Sequence, residues 1–335
     1  MKTILCSFLA ILLCIAVYSQ TIIPGGPISG TWTLDGSPYL IEGETIIEDG
    51  TILTIEPGVE VIWQNDSSSM WVQGQILARG TALDSIIFTA ADPQTGWKGI
   101  RFDDTPPSND SSEFVYCMFE HGDAYGDNPE NSGGAIAVFN FGKILIDHCS
   151  FFNNKAIDIS IHPIPMGGAI SLENASPIIR NCLFKNNKSG AGGAIGCYLE
   201  CIPEIENNIF TNNDAIWEGY AQGYGGAICC YVSCSPQIRN NTFTGNTAKN
   251  AGGAIAMVSQ CNPTIDHNLI VGNTSEWLGG GIEIQDTCSP EIINNTIAHN
   301  EADYGGGIDF WDKSEAKISN TIIWGNTATT QGNQH

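Results

Sequence analysis

The chain has 335 residues, of which 15% are charged, and its formal net charge is −23 at pH 7. Its 13 Lys and Arg residues are scattered. This pattern argues against nucleic acid and anionic membrane surfaces as partners, because both bind clustered cations.

Residues 1–19 have the pattern of a secretory signal peptide. Lys2 precedes an apolar run from Ile4 to Val17, and Ser19 ends a cleavage-site-like sequence before Gln20. The run is too short to anchor the chain in a bilayer, and no later stretch is long enough to span one. The sequence therefore predicts a secreted or cell-surface protein.

Residues 20–50 are predicted to form a leader rich in Pro, Gly and Thr, followed by an N-terminal cap. A cap is expected because the end of a stacked sheet exposes unpaired strands. Over residues 51–120, short β-branched runs alternate with turns such as Glu56-Pro57-Gly58. These runs predict the first coils of a solenoid.

An internal repeat occupies residues 121–328. A box that opens with paired glycines and closes on Ile recurs at intervals of 25 to 34 residues, with a base period of about 26. A second marker is an apolar residue followed three positions later by Asn. The boxed residues are Ile136, Ile170, Ile195, Ile228, Ile255, Ile282 and Ile308, and the second marker ends at Asn154, Asn187, Asn213, Asn246, Asn273, Asn300 and Asn326.

Each repeat contains short apolar runs separated by Gly, Pro, Asn and Ser, without useful helical periodicity. Three short strands per unit of about 26 residues predict an all-β chain wound into a parallel β-helix, a solenoid. Adjacent coils would lie about 4.8 Å apart, so that like residues stack on like. The recurring Asn is then expected to form a hydrogen-bonded ladder at one corner.

The repeats resemble those of the chlamydial polymorphic outer-membrane proteins, which are named for GGAI and FxxN motifs. Gly225-Gly226-Ala227-Ile228 and the Phe243 to Asn246 segment carry this resemblance. Similar units occur in secreted bacterial right-handed β-helix proteins, and the pectin lyase-like enzymes are similar in fold. The resemblance implies a right-handed coil, and surface adhesion is the function known in the chlamydial proteins.

Ten cysteines lie beyond the predicted signal peptide, and most stack in columns in the repeat register. They can be small apolar fillers or can form disulfides between neighbouring coils, and both interpretations remain open. The columns are Cys117, Cys149 and Cys182; Cys197 and Cys230; and Cys201, Cys234, Cys261 and Cys288.

The strand that follows each box is predicted to carry a binding face. Residues one and three positions beyond the boxed Ile should point outward by strand alternation. Aromatic residues beside carboxylates and amides suit stacking on sugar rings. The predicted ligand-binding residues are Tyr198, Tyr231, Trp311, Glu173 and Gln285, with Trp217, Tyr220 and Trp277 on a bordering rim.

Adhesion or binding of a polysaccharide or cell-surface glycan through this face is the favoured function. One alternative is a carbohydrate-active enzyme, a polysaccharide lyase or glycoside hydrolase. Glu283, Asp309 and Asp312 are its catalytic candidates, since Glu283 and Asp309 would lie about 5 Å apart on adjacent coils. The outward columns over residues 137–311 contain no Arg or Lys to act as a lyase base. A structural spacer within a larger surface protein is the third alternative.

The loop at residues 121–132 contains Asp123, Asp127 and Glu130. These hard oxygen donors predict either a Ca²⁺ site or a solvated insertion, and no other cofactor is expected. Residues 329–335 are predicted to be an uncapped tail of a chain fragment. The protein is expected to be a monomer unless the open C-terminal coil pairs with another copy.

Overall fold

The computed structural model describes residues 20–127, 130–157, 166–216 and 222–331. Within these residues the chain winds into a parallel β-helix, in which each strand pairs with the equivalent strand of the next coil. Strands are numbered β1 to β42 in chain order, and they form four sheets, named A to D. The predicted signal peptide lies outside the described residues.

Sheet A contains β1 (Thr21–Ile23), β4 (Tyr39–Ile41), β7 (Glu60–Trp63), β10 (Ile86–Ala90), β13 (Cys117–Glu120), β17 (Ser150–Phe152), β21 (Leu183–Lys185), β25 (Ile209–Thr211), β29 (Thr242–Thr244), β33 (Leu269–Val271), β37 (Thr296–Ala298) and β41 (Ile322–Trp324). Sheet B, which carries the strand after each box, contains β2 (Gly26–Pro27), β5 (Thr45–Ile47), β8 (Met70–Val72), β11 (Ile100–Phe102), β15 (Ile136–Phe139), β19 (Ile170–Glu173), β23 (Ile195–Tyr198), β27 (Ile228–Tyr231), β31 (Ile255–Val258), β35 (Ile282–Gln285) and β39 (Ile308–Phe310).

Sheet C contains β3 (Gly30–Trp32), β6 (Ile52–Ile55), β9 (Gln75–Arg79), β12 (Ser112–Val115), β16 (Ile144–Asp147), β20 (Ile178–Arg180), β24 (Glu204–Glu206), β28 (Gln237–Arg239), β32 (Thr264–Asp266), β36 (Glu291–Ile293) and β40 (Lys317–Ser319). Sheet D contains β14 (Asp123–Ala124), β18 (Lys155–Ala156), β22 (Lys188–Ser189), β26 (Asp214–Ala215), β30 (Thr247–Ala248), β34 (Thr274–Ser275), β38 (Glu301–Tyr304) and β42 (Thr327–Gln331).

The parallel β-helix predicted from the repeats is confirmed, and each coil from β1 to β40 carries the three expected strands, one each in sheets A, B and C. From β14 onward each coil has a fourth strand, mostly two residues long, and from β18 onward this strand directly follows the corner Asn. A strand of two residues is too short to show alternating apolar and polar side chains, so the sequence pattern did not predict sheet D.

Both ends of the solenoid contain paired strands where the sequence predicted a leader and a tail. Strands β1, β2 and β3 pair with β4, β5 and β6, so residues 21–32 form a coil and not a leader. Gly25 and Gly30 have positive φ angles of 112° and 84°, which shows that the glycines of this segment turn corners. At the other end, β42 includes residues 329–331 of the predicted tail, and residues 332–335 lie outside the described part.

The bore of the solenoid is filled by stacked apolar side chains. The boxed Ile residues pair with one another from Ile136 through Ile308, as the repeat predicted. Aromatic rings stack nearly parallel at centroid distances of 4.7–4.9 Å on the sheet A side. That column consists of Phe88, Phe119, Phe151, Phe184, Phe210 and Phe243.

The recurring Asn forms the predicted ladder. Each amide Nδ2 donates to Oδ1 of the next Asn at 2.8–3.0 Å, from Asn154 through Asn326. A second ladder runs from Asn208 to Asn295. In the coils that precede Asn208 a thiol occupies the same position, and the backbone N–H of Cys149 donates to Cys182 Sγ at 3.4 Å.

The ten described cysteines are free and buried. Thiols therefore serve as small side chains in the bore and in corner ladders, which agrees with the first of the two interpretations. Among the described residues, no helix is long and apolar enough to cross a membrane. A 3₁₀ turn, Leu34–Gly36, lies between β3 and β4.

Candidate functional site

A row of residues immediately before the paired glycines covers part of sheet B. These residues bridge one another from coil to coil, and we call the row the ridge. It consists of Met166, Ala191, Tyr224, Ala251, Leu278 and Tyr304. The first glycine of each pair lets the chain fold back closely, since a Cβ on Gly225 would lie 2.1 Å from the carbonyl oxygen of Ile228.

The ridge covers most of the first column, the residues one position after each boxed Ile, which the sequence predicts to point outward. In this first column Ala137, Ser171, Cys229, Ala256 and Glu283 are all buried. Strand alternation correctly placed them on the outer side of sheet B, but the ridge packs on them. A Cβ on Gly196 would lie 2.7 Å from Met166 Cβ, which explains why most residues of this column are small.

The second column, three positions after the boxed Ile, is partly accessible. Tyr198 and Tyr231 are half-buried on adjacent coils, with ring centroids 6.0 Å apart and an angle of 29° between the rings. Glu173 precedes this pair on the neighbouring coil, and Gln285 follows after the buried Val258. Burial, together with the Asp103 carboxylate, raises the pKa of Glu173.

The predicted rim is only partly described. Trp277 is 43% exposed beside the ridge, and Trp311, directly after β39, is 51% exposed. Trp217 and Tyr220 lie outside the described residues. The face as described thus consists of the two stacked tyrosines, their polar neighbours and separate tryptophans nearer the C-terminal coils.

The predicted catalytic carboxylates occupy three different environments. Glu283 is fully buried under the ridge, Asp309 is half-buried and Asp312 is exposed in the turn after β39. Register places Glu283 and Asp309 side by side, as expected. Burial, with a smaller contribution from Asp309, raises the pKa of Glu283 well above its ordinary value. Because solvent does not reach Glu283, the two carboxylates cannot both contact a polymer on the surface.

Arg101 is a cation that the predicted columns omitted. It pairs in register with Ala137, so it belongs to the first column one coil before the repeat begins. Its side chain is fully buried, and Nη1 donates to the Gly133 carbonyl oxygen at 2.6 Å. Burial lowers the pKa of Arg101 to about 9. Extending the register of the boxed repeat into the N-terminal coils, whose repeat differs, would have placed Arg101 in the first column.

The outer face of sheet B continues into the N-terminal coils. A shallow cleft there is lined by Trp71, Gln73, Asp103 and Asp104, among others. Trp71 pairs with Arg101, and its indole Nε1 is buried without a hydrogen-bond partner. Sequence reasoning missed these residues because the N-terminal coils lack the boxed repeat.

The candidate Ca²⁺ residues of the 121–132 loop do not converge. Asp123 Oδ2 pairs with Lys155 Nζ at 2.8 Å, and Glu130 pairs with Lys98. Asp127 is exposed, and its carbonyl oxygen accepts from the Glu130 N–H. In the described part of the chain, no group of three or more His, Cys, Asp or Glu side chains is arranged to hold a metal.

The chain is thus a parallel β-helix, and its sheet B carries a partly exposed line of aromatic and carboxylate side chains. Comparison with family models matches the chain to the family described as "Right handed beta helix region", over residues 39–268 and 220–332. The chain therefore belongs to the right-handed β-helix family. No curated protein matches it.

Two solved structures are similar to the chain in fold. One is a mannuronic acid specific polysaccharide family 6 lyase from human gut microbiota, with 11% identity, coverage of 90% of this chain and 77% of the lyase, and a TM-score of 0.38. The other is PfbA, a surface adhesin of Streptococcus pneumoniae, with 11% identity, coverage of 94% and 86%, and a TM-score of 0.35. Similarity of this degree concerns the fold alone.

Proposed function

We propose that this chain is an extracellular or cell-surface β-helix that binds polysaccharide along the second column of sheet B. The observation that carries the proposal is the stacked pair Tyr198 and Tyr231, half-exposed on adjacent coils and followed along the column by an amide and preceded by a carboxylate. Aromatic faces bind the apolar faces of sugar rings, and carboxylates and amides accept or donate hydrogen bonds to sugar hydroxyls.

The charges along the face favour a neutral polymer. The second column carries Asp103 and Glu173, and the one Arg of the neighbouring column, Arg101, is buried. A polyuronate would add carboxylates to a face that already holds them, and like charges repel. We therefore expect neutral polysaccharides to bind better than acidic ones.

A carbohydrate-active enzyme on the same face has weaker support. The predicted pair of acids includes Glu283, which the ridge shields from any polymer. Asp309 and Asp312 are the accessible members of the predicted catalytic set. Their accessibility alone does not supply the two facing carboxylates that glycoside hydrolysis needs.

Affinity electrophoresis through gels containing neutral, acidic or amino polysaccharides tests the proposed function. We expect a neutral polymer to retard the protein, and Tyr231→Ala to weaken binding about tenfold, or about 1.4 kcal/mol. Trp324→Ala is the matched control, because Trp324 is 67% exposed on sheet A, away from the face. Retardation unchanged by Tyr231→Ala would reject this face, and no retardation by any polymer would favour the spacer.

A further inference from the structure

Glu283 is an unusual occupant of the covered first column. Its side chain is fully buried, and neither Oε1 nor Oε2 has a hydrogen-bond partner. The equivalent positions in the preceding coils hold Ala256, Cys229 and Gly196. A buried carboxylate is normally paired with donors or with a cation, because an isolated ionised carboxylate in apolar surroundings is strongly destabilising.

Two further oxygen-bearing side chains lie beside Glu283. Gln285 is two residues along β35 and so points to the same side, and its Oε1 atom is buried without a hydrogen-bond partner. Asp309 pairs with Glu283 in register on β39. The two carboxylates and the amide together offer five side-chain oxygens.

The paired-glycine corner of the last repeat lies against this group. A Cβ on Gly305 would lie 2.5 Å from Asp309 Cβ and 2.6 Å from Oδ1. A side chain at position 305 would therefore collide with the Asp309 side chain, and glycine keeps this position free for the carboxylate. Asp309 itself is half-buried, so solvent ions can approach from its side.

We propose that Glu283, Gln285 and Asp309 form a binding site for a hard divalent cation such as Ca²⁺. The donors are all oxygens, and two carboxylates balance the charge of one divalent ion. Ca²⁺ takes about 6–8 oxygen ligands in flexible geometry, so water or backbone carbonyls can complete the shell. The site differs from the 121–132 loop, where Lys155 and Lys98 pair with the acidic side chains.

Terbium luminescence tests the site directly, because Tb³⁺ substitutes for Ca²⁺ and nearby aromatic residues can excite it. We expect saturable emission from the full chain at pH 7, displaced by Ca²⁺ and reduced at least tenfold by Glu283→Gln and by Asp309→Asn. Asp312→Asn is the matched control, since Asp312 is an exposed acid three residues beyond Asp309. Absent emission, or emission unchanged by Glu283→Gln, would overturn the proposal.

Thermal melts of the unmodified protein give a second readout that needs no variant. The melting temperature should rise with Ca²⁺ in a saturable way, since a ligand that binds the folded state stabilises it. If Glu283 is instead only a buried neutral acid, Ca²⁺ has no effect and Glu283→Gln melts higher than the unmodified protein at pH 7. Polysaccharide binding at Tyr198 and Tyr231 is measured separately, so either proposal can fail alone.

Discussion

Asn246 carries four side-chain hydrogen bonds in the buried corner ladder. Its Nδ2 donates to Asn273 Oδ1 at 2.8 Å and to the Phe210 carbonyl oxygen at 3.0 Å. Its Oδ1 accepts from the backbone N–H and the Nδ2 of Asn213 at 3.0 and 2.9 Å. Only a side chain of this length with both an acceptor and two donors can satisfy these groups, which explains why the position repeats as Asn.

Asn246→Leu should lower the free energy of unfolding by about 1–3 kcal/mol, because it leaves buried donors and acceptors on both neighbouring coils unpaired. Urea denaturation followed by circular dichroism measures the change. Thr244→Leu is the control, since Thr244 is exposed on the same coil and its replacement should cost less than about 0.5 kcal/mol. Equal stability of the two variants would mean that the ladder contributes nothing.

At the level of elements, the paired-glycine corner joins sheet D to sheet B and positions the ridge. Its two glycines serve different needs. Gly252 has a φ of 68°, a backbone conformation that favours glycine. Gly253 is limited by space, because an added Cβ would lie 2.2 Å from the Gly280 carbonyl oxygen and 2.7 Å from Thr274 backbone atoms. The corner therefore brings successive backbones closer than any side chain allows.

Gly253→Ala should destabilise the protein by about 3 kcal/mol or more, because the colliding atoms belong to the rigid backbone of the next coil. Gly272→Ala is the matched control. Gly272 has a φ of 66° with open space around it, so its replacement should cost only about 1–2 kcal/mol of backbone strain. Urea denaturation compares the two, and a Gly253→Ala variant as stable as Gly272→Ala would contradict the close approach.

For the molecule as a whole, the cysteines report on the integrity of the solenoid over residues 117–288. The described thiols are all buried, and burial raises the pKa of Cys229 well above its ordinary value. The thiolate is the reactive form of Cys, so Cys229 should react slowly in the folded protein.

Alkylation with iodoacetamide at pH 8, mapped by mass spectrometry, should label these ten cysteines slowly in the folded protein and rapidly in denaturant. Because the cysteines lie on different coils, the labelling rate is compared at each cysteine, with the denatured sample as the reference. Cysteines that resist labelling in denaturant until a reductant is added would show disulfides between coils. Rapid labelling of Cys229 in the folded protein would show that the ridge does not cover it.

The sequence by itself determined the coil, its register and the corner ladder. In a solenoid each coil contacts only its neighbours, so residues that recur along the chain become residues that touch. This relation predicts that Ile228 lies on Ile255, Asn246 on Asn273 and Glu283 beside Asp309, and the structure confirms all three pairings.

The tertiary structure alone decided which outward side chains reach solvent. Alternation along a strand gives the direction of a side chain, but its accessibility depends on what packs on that side. The ridge follows from the backbone path at the paired glycines. The spacing of residues in the sequence does not predict that path. The ridge buries Glu283 at the proposed cation site and leaves Tyr198 and Tyr231 half-exposed on the proposed polysaccharide-binding face.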